Sequence, residues 1–272
     1  MSGKAIRLAG VSKTFASRTG AIDAISSVDL TIEAGSFVAV VGPSGCGKST
    51  LMRMIGGLIQ PSTGEIEFGG SPVIGPRTDT GIVFQKANLA PWHDVLGNVA
   101  LQIRLRKLDW TAYEERAIEL LRSVGLGDFM NKLPYELSGG MQQRASIARA
   151  LVHSPDVLLM DEPFGALDAL TREQIRLDLE HLWVRDRMSV LFITHSIDEA
   201  VLLADRVIVM TPRPGTIEQI LEVNIPRPRR LAARHDPEFI RLAETITEMF
   251  MRRGVLDDHR EITAKPHYAN LD

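Results

Sequence analysis

The sequence predicts an α/β fold in which a mostly parallel sheet is covered by helices on both faces. Compact runs of β-branched and long aliphatic residues recur along the chain, at 37–41, 157–160, 190–194 and 207–210. Stretches with helical apolar spacing separate these runs, at about 49–58, 169–187 and 197–204. Strands that alternate with helices are typical of parallel sheets, because a parallel pair needs a crossover connection.

The first third of the chain is predicted to be mainly strands. Residues 5–40 indicate short strands and turns, and the apolar run that ends at Val41 suits a strand buried on both faces of a sheet. A glycine-rich turn and then a helix follow this run directly. Residues 64–84 again indicate strands, with turns at Gly69-Gly70 and Gly75-Pro76.

The middle and the end of the chain differ in character. Leucines and charges recur at helical spacing over 94–152, most clearly over 111–124, which predicts a helical insert within one α/β domain. The pattern loosens beyond residue 217, where a connector rich in proline and arginine precedes a final helix at 237–253. We therefore predict a main domain over 5–225 and a connector, helix and tail over 226–272.

Composition excludes several classes of protein. The chain has 272 residues, a formal net charge of −3 and 44% hydrophobic residues, which is ordinary globular composition. The charge balance argues against a protein that coats nucleic acid and against a polybasic membrane anchor. Cys46 is the one cysteine, so no internal disulfide can form. No apolar run approaches the ~18 residues that span a bilayer, so we expect a soluble intracellular chain that reaches a membrane only through a partner.

A phosphate-binding loop is predicted directly after the strand at 37–41. The segment fits G-x-x-x-x-G-K-[ST], in which glycines let the backbone wrap phosphates and the helix start adds a positive dipole end. Lys48 can then reach the β- and γ-phosphates, and the Ser49 hydroxyl can bind Mg²⁺. The alternative is a chance glycine turn, and Cys46 is interpreted as a small residue rather than a redox group. The nucleotide-binding residues predicted here are Gly42, Pro43, Ser44, Gly45, Cys46, Gly47, Lys48, Ser49 and Thr50.

Two carboxylates follow the apolar run at 157–160. Ligands of open α/β sheets bind at the carboxyl ends of the strands, so Asp161 is positioned to hold Mg²⁺. Glu162 is positioned to orient or deprotonate a water that attacks the γ-phosphate. Taken alone, Asp-Glu after a strand is a weak signal, because many solvated turns begin in this way.

A second anion site is predicted at the start of the helix that follows Leu137. Ser138, Gly139 and Gly140 place a hydroxyl and two glycines at this helix start, where the dipole favours negative charge. The simpler interpretation is that Ser138 only caps the helix. Two phosphate-binding helix starts in one chain suggest that the second one covers a nucleotide held by another protomer.

These motifs, in this order and spacing, resemble those of the ATP-binding subunits of ABC transporters. The resemblance covers about residues 5–225 and implies a P-loop NTPase fold, with a RecA-like parallel sheet, an N-terminal antiparallel β subdomain and an inserted α-helical signature subdomain. It implies ATP and Mg²⁺ as ligands and a head-to-tail dimer that sandwiches two ATP. Further residues receive roles from it: Gln85 as the Q-loop metal and water contact, Gln142 in the signature, Asp168 at the dimer interface, His195 as the switch histidine on the γ-phosphate, and Phe15 as the aromatic that stacks on adenine.

Three local strings resemble the nitrate, sulfonate and taurine type of importer. They are Leu89-Ala90-Pro91-Trp92, the segment 164–172 and the segment 225–229. Ala90 departs from the bulky apolar residue that this type more often has. The resemblance implies a separate integral membrane permease as partner, an extracytoplasmic solute-binding protein, a peripheral position on the cytoplasmic face of the membrane, and no nucleic acid. The cargo itself is chosen by the permease and the binding protein.

Two other functions and one surface stay open at this point. A soluble ABC-type ATPase in DNA repair or on ribosomes lacks support, since no long coiled coil and no second ATPase domain is visible. A P-loop kinase or GTPase leaves Leu137 to Gln142 and His195 without a role. The arginines at 227, 229, 230 and 234 form a basic cluster, which either meets lipid headgroups or a partner or is a solvated connector.

Overall fold

The computed structural model describes residues 3–18, 20–165 and 167–256, which form two sheets with helices around them. Ala166 of the predicted dimer-interface loop and the tail at 257–272 lie outside the described residues. The strands are β1 (Ile6–Ser17), β2 (Gly20–Ile32), β3 (Phe37–Val41), β4 (Thr63–Phe68), β5 (Ser71–Pro72), β6 (Thr80–Val83), β7 (Val157–Asp161), β8 (Ser189–Ile193), β9 (Arg206–Met210) and β10 (Ile217–Glu222). The α-helices are α1 (Lys48–Ile55), α2 (Val95–Leu105), α3 (Glu114–Ser123), α4 (Gly139–Leu151), α5 (Ala169–Asp186), α6 (Ile197–Leu203) and α7 (Pro237–Arg252).

The larger sheet has six strands in the order β10-β9-β3-β8-β7-β6. All neighbours are parallel except the edge strand β10, which is antiparallel to β9. Every residue of β3, β7 and β8 is buried, as helices on both faces require. On one face, Phe37 of β3 packs edge-on against Trp183 of α5, with ring centroids 5.8 Å apart. The predicted α/β fold with a mostly parallel sheet is confirmed.

The smaller sheet is antiparallel, with the order β2-β1-β4-β5, and is the expected N-terminal β subdomain. The prediction of short strands here was wrong for β1 and β2, which have 12 and 13 residues. The register of this pair shifts three times between Leu8 and Thr14. Each irregularity interrupts the alternation of buried and exposed side chains, so one long bulged strand looks like shorter pieces in the sequence.

The predicted helical insert contains α2, α3 and α4. The helix predicted over 111–124 begins at Glu114, because a 3₁₀ turn at Trp110–Ala112 precedes it. Asp109 caps that turn, since its carboxylate accepts hydrogen bonds from the Thr111 backbone N–H at 3.1 Å and hydroxyl at 2.7 Å. Across the described residues, no helix combines the length and apolar character that crossing a membrane would require.

The segment after β9 is more ordered than its sequence suggests. Residues 217–222 pair with β9 as an edge strand, and α7 begins at the predicted proline, capped by Asp236. Neither interpretation of the basic cluster holds for Arg227 and Arg229. Arg229 is only 2% exposed, and Arg227 forms ion pairs with Glu180 and Asp205 at 3.2 and 2.8 Å. These guanidinium groups are internal, because the connector runs past the carbonyl end of α6 and a buried carboxylate of α5.

Candidate nucleotide-binding site

The glycine loop between β3 and α1 lies where the sequence predicts it. Gly45 and Gly47 have φ angles of +76° and +103°, which side-chain-bearing residues rarely adopt. A Cβ atom on Gly47 would lie 2.5 Å from Ile25 Cδ1 and 2.8 Å from the Ala24 carbonyl oxygen. Glycine is therefore required both for the turn and for the close approach of β2 to the start of α1.

Lys48, Ser49 and Asp161 meet at the carboxyl end of the central strands. The Lys48 ammonium donates to the carbonyl oxygens of Gly42 at 2.8 Å and Pro43 at 3.0 Å, so it lies across the loop. The Ser49 hydroxyl donates to Asp161 Oδ1 at 2.9 Å. The structure thus places a cation beside the loop amides and a hydroxyl–carboxylate pair at the start of α1, an arrangement suited to a metal-bound phosphate chain.

Cys46 is fully buried inside this loop. Burial is the main cause that raises the pKa of its thiol, although the charge of Lys48 acts in the opposite direction. The thiolate is the reactive form of cysteine, so the raised pKa favours the interpretation of Cys46 as a small packing residue.

Glu162 joins two other predicted site residues. One of its carboxylate oxygens contacts the His195 Nε2 atom, and the other accepts a hydrogen bond from the Gln85 side-chain amide at 3.0 Å. Glu162 has a φ of +47°, a left-handed conformation that costs about 1–3 kcal/mol in a residue other than glycine. Strained backbone of this kind is concentrated at functional sites, and here it turns the carboxylate toward the ends of two neighbouring strands.

An open cleft of about 320 Å³ is lined both by the glycine loop and by the group of Glu162, His195 and Gln85. Its lining residues are Ser44, Gly45, Gly47, Lys48, Ser49, Thr50, Gln85, Glu162, His195 and Arg213. The cleft therefore contains backbone amides, a lysine, a hydroxyl and a carboxylate in contact with a histidine, groups that are suited to a phosphate chain, a cation and a water molecule. Across the described residues, no three His, Cys, Asp or Glu side chains form a metal site of their own.

The residues predicted to serve a partner's nucleotide are grouped at the starts of α4 and α5. The Ser138 hydroxyl accepts from the Met141 N–H at 3.3 Å, and Asp168 accepts from the Thr171 N–H at 3.0 Å. The two helix starts touch, since a Cβ atom on Gly140 would lie 3.1 Å from Thr171 Cγ2. A Cβ atom on Gly139 would instead meet open space, which leaves this helix start accessible.

Two further residues of this group have local partners. The side-chain amide of Gln142 donates to the Pro134 carbonyl oxygen at 2.8 Å, which ties the signature to the preceding turn. Hydrogen bonds from Thr171 lower the pKa of Asp168 below its ordinary value. Both side chains therefore hold the local backbone in place, and their contact with a nucleotide stays a prediction.

Phe15, the predicted adenine contact, lies on β1 opposite Ile22 of β2. It is 39% exposed, and the Lys13 ammonium lies 5.2 Å from its ring centroid, a cation–π distance. The ring is accessible from solvent, so stacking on adenine stays a prediction.

Sequence reasoning missed Arg213 and Asn98. Arg213 lines the phosphate cleft from the loop after β9, and no motif pointed to it. Asn98 is completely buried and hydrogen-bonds both the N–H and the carbonyl oxygen of Ala90, at 2.7 and 3.1 Å. An asparagine on the apolar face of a predicted helix was the available signal for the second.

Known proteins share both the sequence and the fold. The family model described as ABC transporter matches residues 25–165. The chain is 46% identical to the taurine import ATP-binding protein TauB of Rhizobium johnstonii over 259 residues, which are 94% of this chain and 89% of TauB. It is 43% identical to the nitrate import ATP-binding protein NrtD of Synechococcus elongatus over 252 residues, which are 91% of this chain and 92% of NrtD.

Solved structures agree with these relatives. The chain superposes on the dimeric bacterial ABC transporter cassette MJ0796 with a TM-score of 0.74 and 35% identity, covering 81% of this chain and 100% of that one. The same cassette in a post-hydrolysis state bound to ADP and Pi gives a TM-score of 0.73. The glycine loop, the strand-end carboxylates and these similarities together show that the chain belongs to the ABC transporter family, as an ATP-binding subunit that hydrolyses ATP.

Proposed function

We propose that this chain drives uptake of a small anionic or zwitterionic solute, of the nitrate, sulfonate or taurine kind, through a separate membrane permease. The observation that carries the proposal is the path of one segment between β6 and α2. The segment begins at Gln85, whose side chain contacts Glu162 in the cleft, and reaches Trp92, which is 75% exposed. A change in the contact between Gln85 and Glu162 can therefore move the segment that carries Trp92, at a surface that a partner can contact.

The hydrolytic chemistry follows from the groups in the cleft. Lys48 and the loop amides hold the phosphate chain, and Glu162 accepts the proton of the water that attacks the γ-phosphorus. His195 and Gln85 hold the two oxygens of that carboxylate, which fixes its direction. The bond from the γ-phosphorus to the bridging oxygen breaks, and the products are ADP and phosphate.

Mg²⁺ suits the oxygen donors at the start of α1. Ser49 Oγ and Asp161 Oδ1 are 2.9 Å apart, and hydroxyl and carboxylate oxygens are the donors that this ion prefers. Ser49, Asp161 and Gln85 would hold it, and the ion would neutralise charge on the phosphates.

The second anion site gives a reason for a dimer. The α4 start at Ser138, Gly139 and Gly140 offers backbone amides at an accessible helix N-terminus. Two copies, arranged head to tail, would place this helix start over a nucleotide in the glycine loop of the other copy. Asp168 caps α5, and Thr171 of this helix lies against Gly140, so the two helix starts would move together when the pair closes.

The docking surface for the permease is the loop that carries Pro91 and Trp92. The Asn98 side chain fixes this loop by accepting a hydrogen bond from the Ala90 N–H. The Arg149 guanidinium donates to the carbonyl oxygens of Ala87 at 2.7 Å and Asn88 at 2.8 Å. An exposed tryptophan on a fixed backbone is energetically suited to an interface, because aromatic anchors dominate binding energy. The chain would thus lie on the cytoplasmic face of the membrane as a peripheral subunit.

Purification of the tagged chain from its native membranes in mild detergent tests the proposal. A polytopic permease in about equal amount is expected, and the ligand of its solute-binding protein would identify the cargo. Trp92→Ser should lose the permease while still binding ATP, whereas Ile74→Ser, at a site 85% exposed in the loop after β5, should keep it. Co-purification of only ribosomal or DNA-bound proteins would replace the importer assignment with a soluble ATPase.

A further inference from the structure

The loop between β9 and β10 has a fixed conformation. The Thr211 N–H donates to the Thr216 carbonyl oxygen at 3.0 Å, and the Thr216 N–H donates to the Thr211 hydroxyl at 3.1 Å. The loop is also tied to β2, because the Gly215 N–H donates to Ala24 at 3.1 Å and its carbonyl oxygen accepts from Ser26 at 2.9 Å. Bonds at both of its ends and to a neighbouring strand hold the tip of this loop in one place.

The tip lies directly against the phosphate-binding loop. A Cβ atom on Gly215 would be 1.9 Å from the Cys46 carbonyl oxygen, a distance that two non-bonded atoms do not reach. Only glycine permits this approach, so the backbone at 215 packs on the glycine loop itself. Because residue 215 packs on the glycine loop, a side chain two residues before it lies close to the nucleotide cleft.

That side chain is Arg213, which lines the cleft together with Ser44, Gly45 and Lys48. Within residues 3–18, 20–165 and 167–256, its guanidinium group has no hydrogen bond or ion pair, unlike the buried Arg229. The carboxylate of Glu162, which lines the same cleft, already contacts His195 and Gln85. A guanidinium with unused donors beside a phosphate loop is well suited to phosphate oxygens, which it can bind in a bidentate manner.

We propose that Arg213 binds the phosphate chain of the ATP held in the glycine loop of the same protomer. It adds a second cation to the cleft that Lys48 also lines. Because Arg213 is exposed, its contribution is moderate and screened by salt. This role depends on ATP binding alone, so it holds whether or not a permease is the partner.

Equilibrium titration of the full chain with ADP and with the β,γ-imido analogue of ATP tests this role. Arg213→Ala should weaken binding of both nucleotides by about fivefold, the range of one exposed charge-assisted hydrogen bond, and Arg213→Lys should recover part of the loss. The loss should shrink when the salt concentration rises to about 0.3 M, since the Debye length then falls well below 10 Å. Arg104→Ala, an exposed arginine on α2, is the matched control and should leave affinity unchanged.

Three results would overturn the proposal. Equal affinities of Arg213→Ala and the unchanged chain would exclude a phosphate contact, and a loss of ATP-dependent pairing at unchanged affinity would assign Arg213 to the partner protomer. An equal loss in Arg104→Ala would show a general charge effect instead. Should alanine disturb the loop, Arg213→Gln removes the charge at similar length, and its melting temperature verifies the fold.

Discussion

The backbone N–H of Arg229 donates to the buried carboxylate of Glu180 at 2.8 Å. Glu180 is 1% exposed and belongs to α5, the helix that begins at Asp168. The Arg229 guanidinium points the other way and donates to the carbonyl oxygens of Val201 at 3.0 Å and Ala204 at 2.6 Å, at the end of α6. One connector residue therefore joins α5, which follows the predicted dimer-interface residue Asp168, to α6, which follows His195.

Arg229→Ala should destabilise the protein by about 3–5 kcal/mol, because it leaves several buried carbonyl oxygens without the guanidinium that donates to them, while the backbone N–H keeps its bond to Glu180. Arg229→Lys should recover little, since an ammonium cannot reach the carbonyl oxygens of both helix and connector. Urea unfolding curves measure the change. Arg230→Ala, at an exposed neighbouring position, should stay within about 0.5 kcal/mol. Equal losses at both positions would mean that the buried contacts are unimportant.

Ser49→Ala should weaken Mg²⁺-dependent nucleotide binding by about tenfold and leave metal-free binding almost unchanged, because the hydroxyl that pairs with Asp161 is lost. Calorimetry with the β,γ-imido analogue of ATP, once with Mg²⁺ and once with EDTA, separates metal-dependent binding from metal-free binding. Ser49→Thr retains the hydroxyl and is the control. The proposed metal site would be wrong if the alanine variant kept its full response to Mg²⁺.

Glu162→Gln should lower the ATPase rate about 10²–10⁴-fold, because an amide cannot accept the proton of the attacking water. ATP binding should persist, so this variant should form a stable dimer at saturating Mg-ATP on gel filtration. Steady-state phosphate release measures the rate, and Glu222→Gln, 64% exposed on the edge strand β10, is the control. A variant that stays monomeric under these conditions would count against the sandwich arrangement of the isolated subunit.

His153 should give the stability a pH dependence. Burial beside the charge of Arg106 lowers the pKa of His153 from 6.5 to about 4. Between these values only the unfolded chain binds the proton, so the free energy of unfolding falls as the pH falls from 6.5 to about 4, by up to about 3 kcal/mol. Above pH 6.5 both states are neutral at this residue, and the contribution is constant.

Urea unfolding at a series of pH values measures this slope. His153→Leu should flatten the part of the curve between pH 6.5 and about 4 relative to the unchanged chain. His181→Leu replaces an exposed imidazole on α5 and controls for the substitution itself. A slope in this window that is identical with and without His153 would contradict the assignment.

The positions of Glu162, His195 and Gln85 follow one rule, although the roles of His195 and Gln85 were predicted from the resemblance to ABC subunits and not from these residues alone. Each residue directly follows or closely follows a strand of a parallel sheet, and the carboxyl ends of such strands share one edge. The glycine loop is equally local, since a strand, a turn and a helix suffice to form it.

The roles of Arg229, Arg213 and Asn98 could not be predicted in this way. Arginine is usually exposed, and Arg229 is accepted in the interior because carbonyl oxygens at the end of α6 and in the connector accept its hydrogen bonds. Arg213 reaches the cleft because Gly215 packs on Cys46, and these two residues are far apart in the sequence. The edge strand β10 could not be predicted for a similar reason, because its residues pair with β9 only once the sheet has formed.

The packing of Gly215 on Cys46 makes the glycine loop depend on residues far along the chain. The family match ends at residue 165, yet the wall behind the glycine loop is supplied by residues 211–216. A fragment that ends between residues 165 and 211 would keep every residue of the glycine loop. It would lose residues 211–216, which contact both that loop and β2. Splitting the protein for a complementation assay, or permuting its termini, should therefore keep residues 24–26, 42–49 and 211–216 in one folded unit.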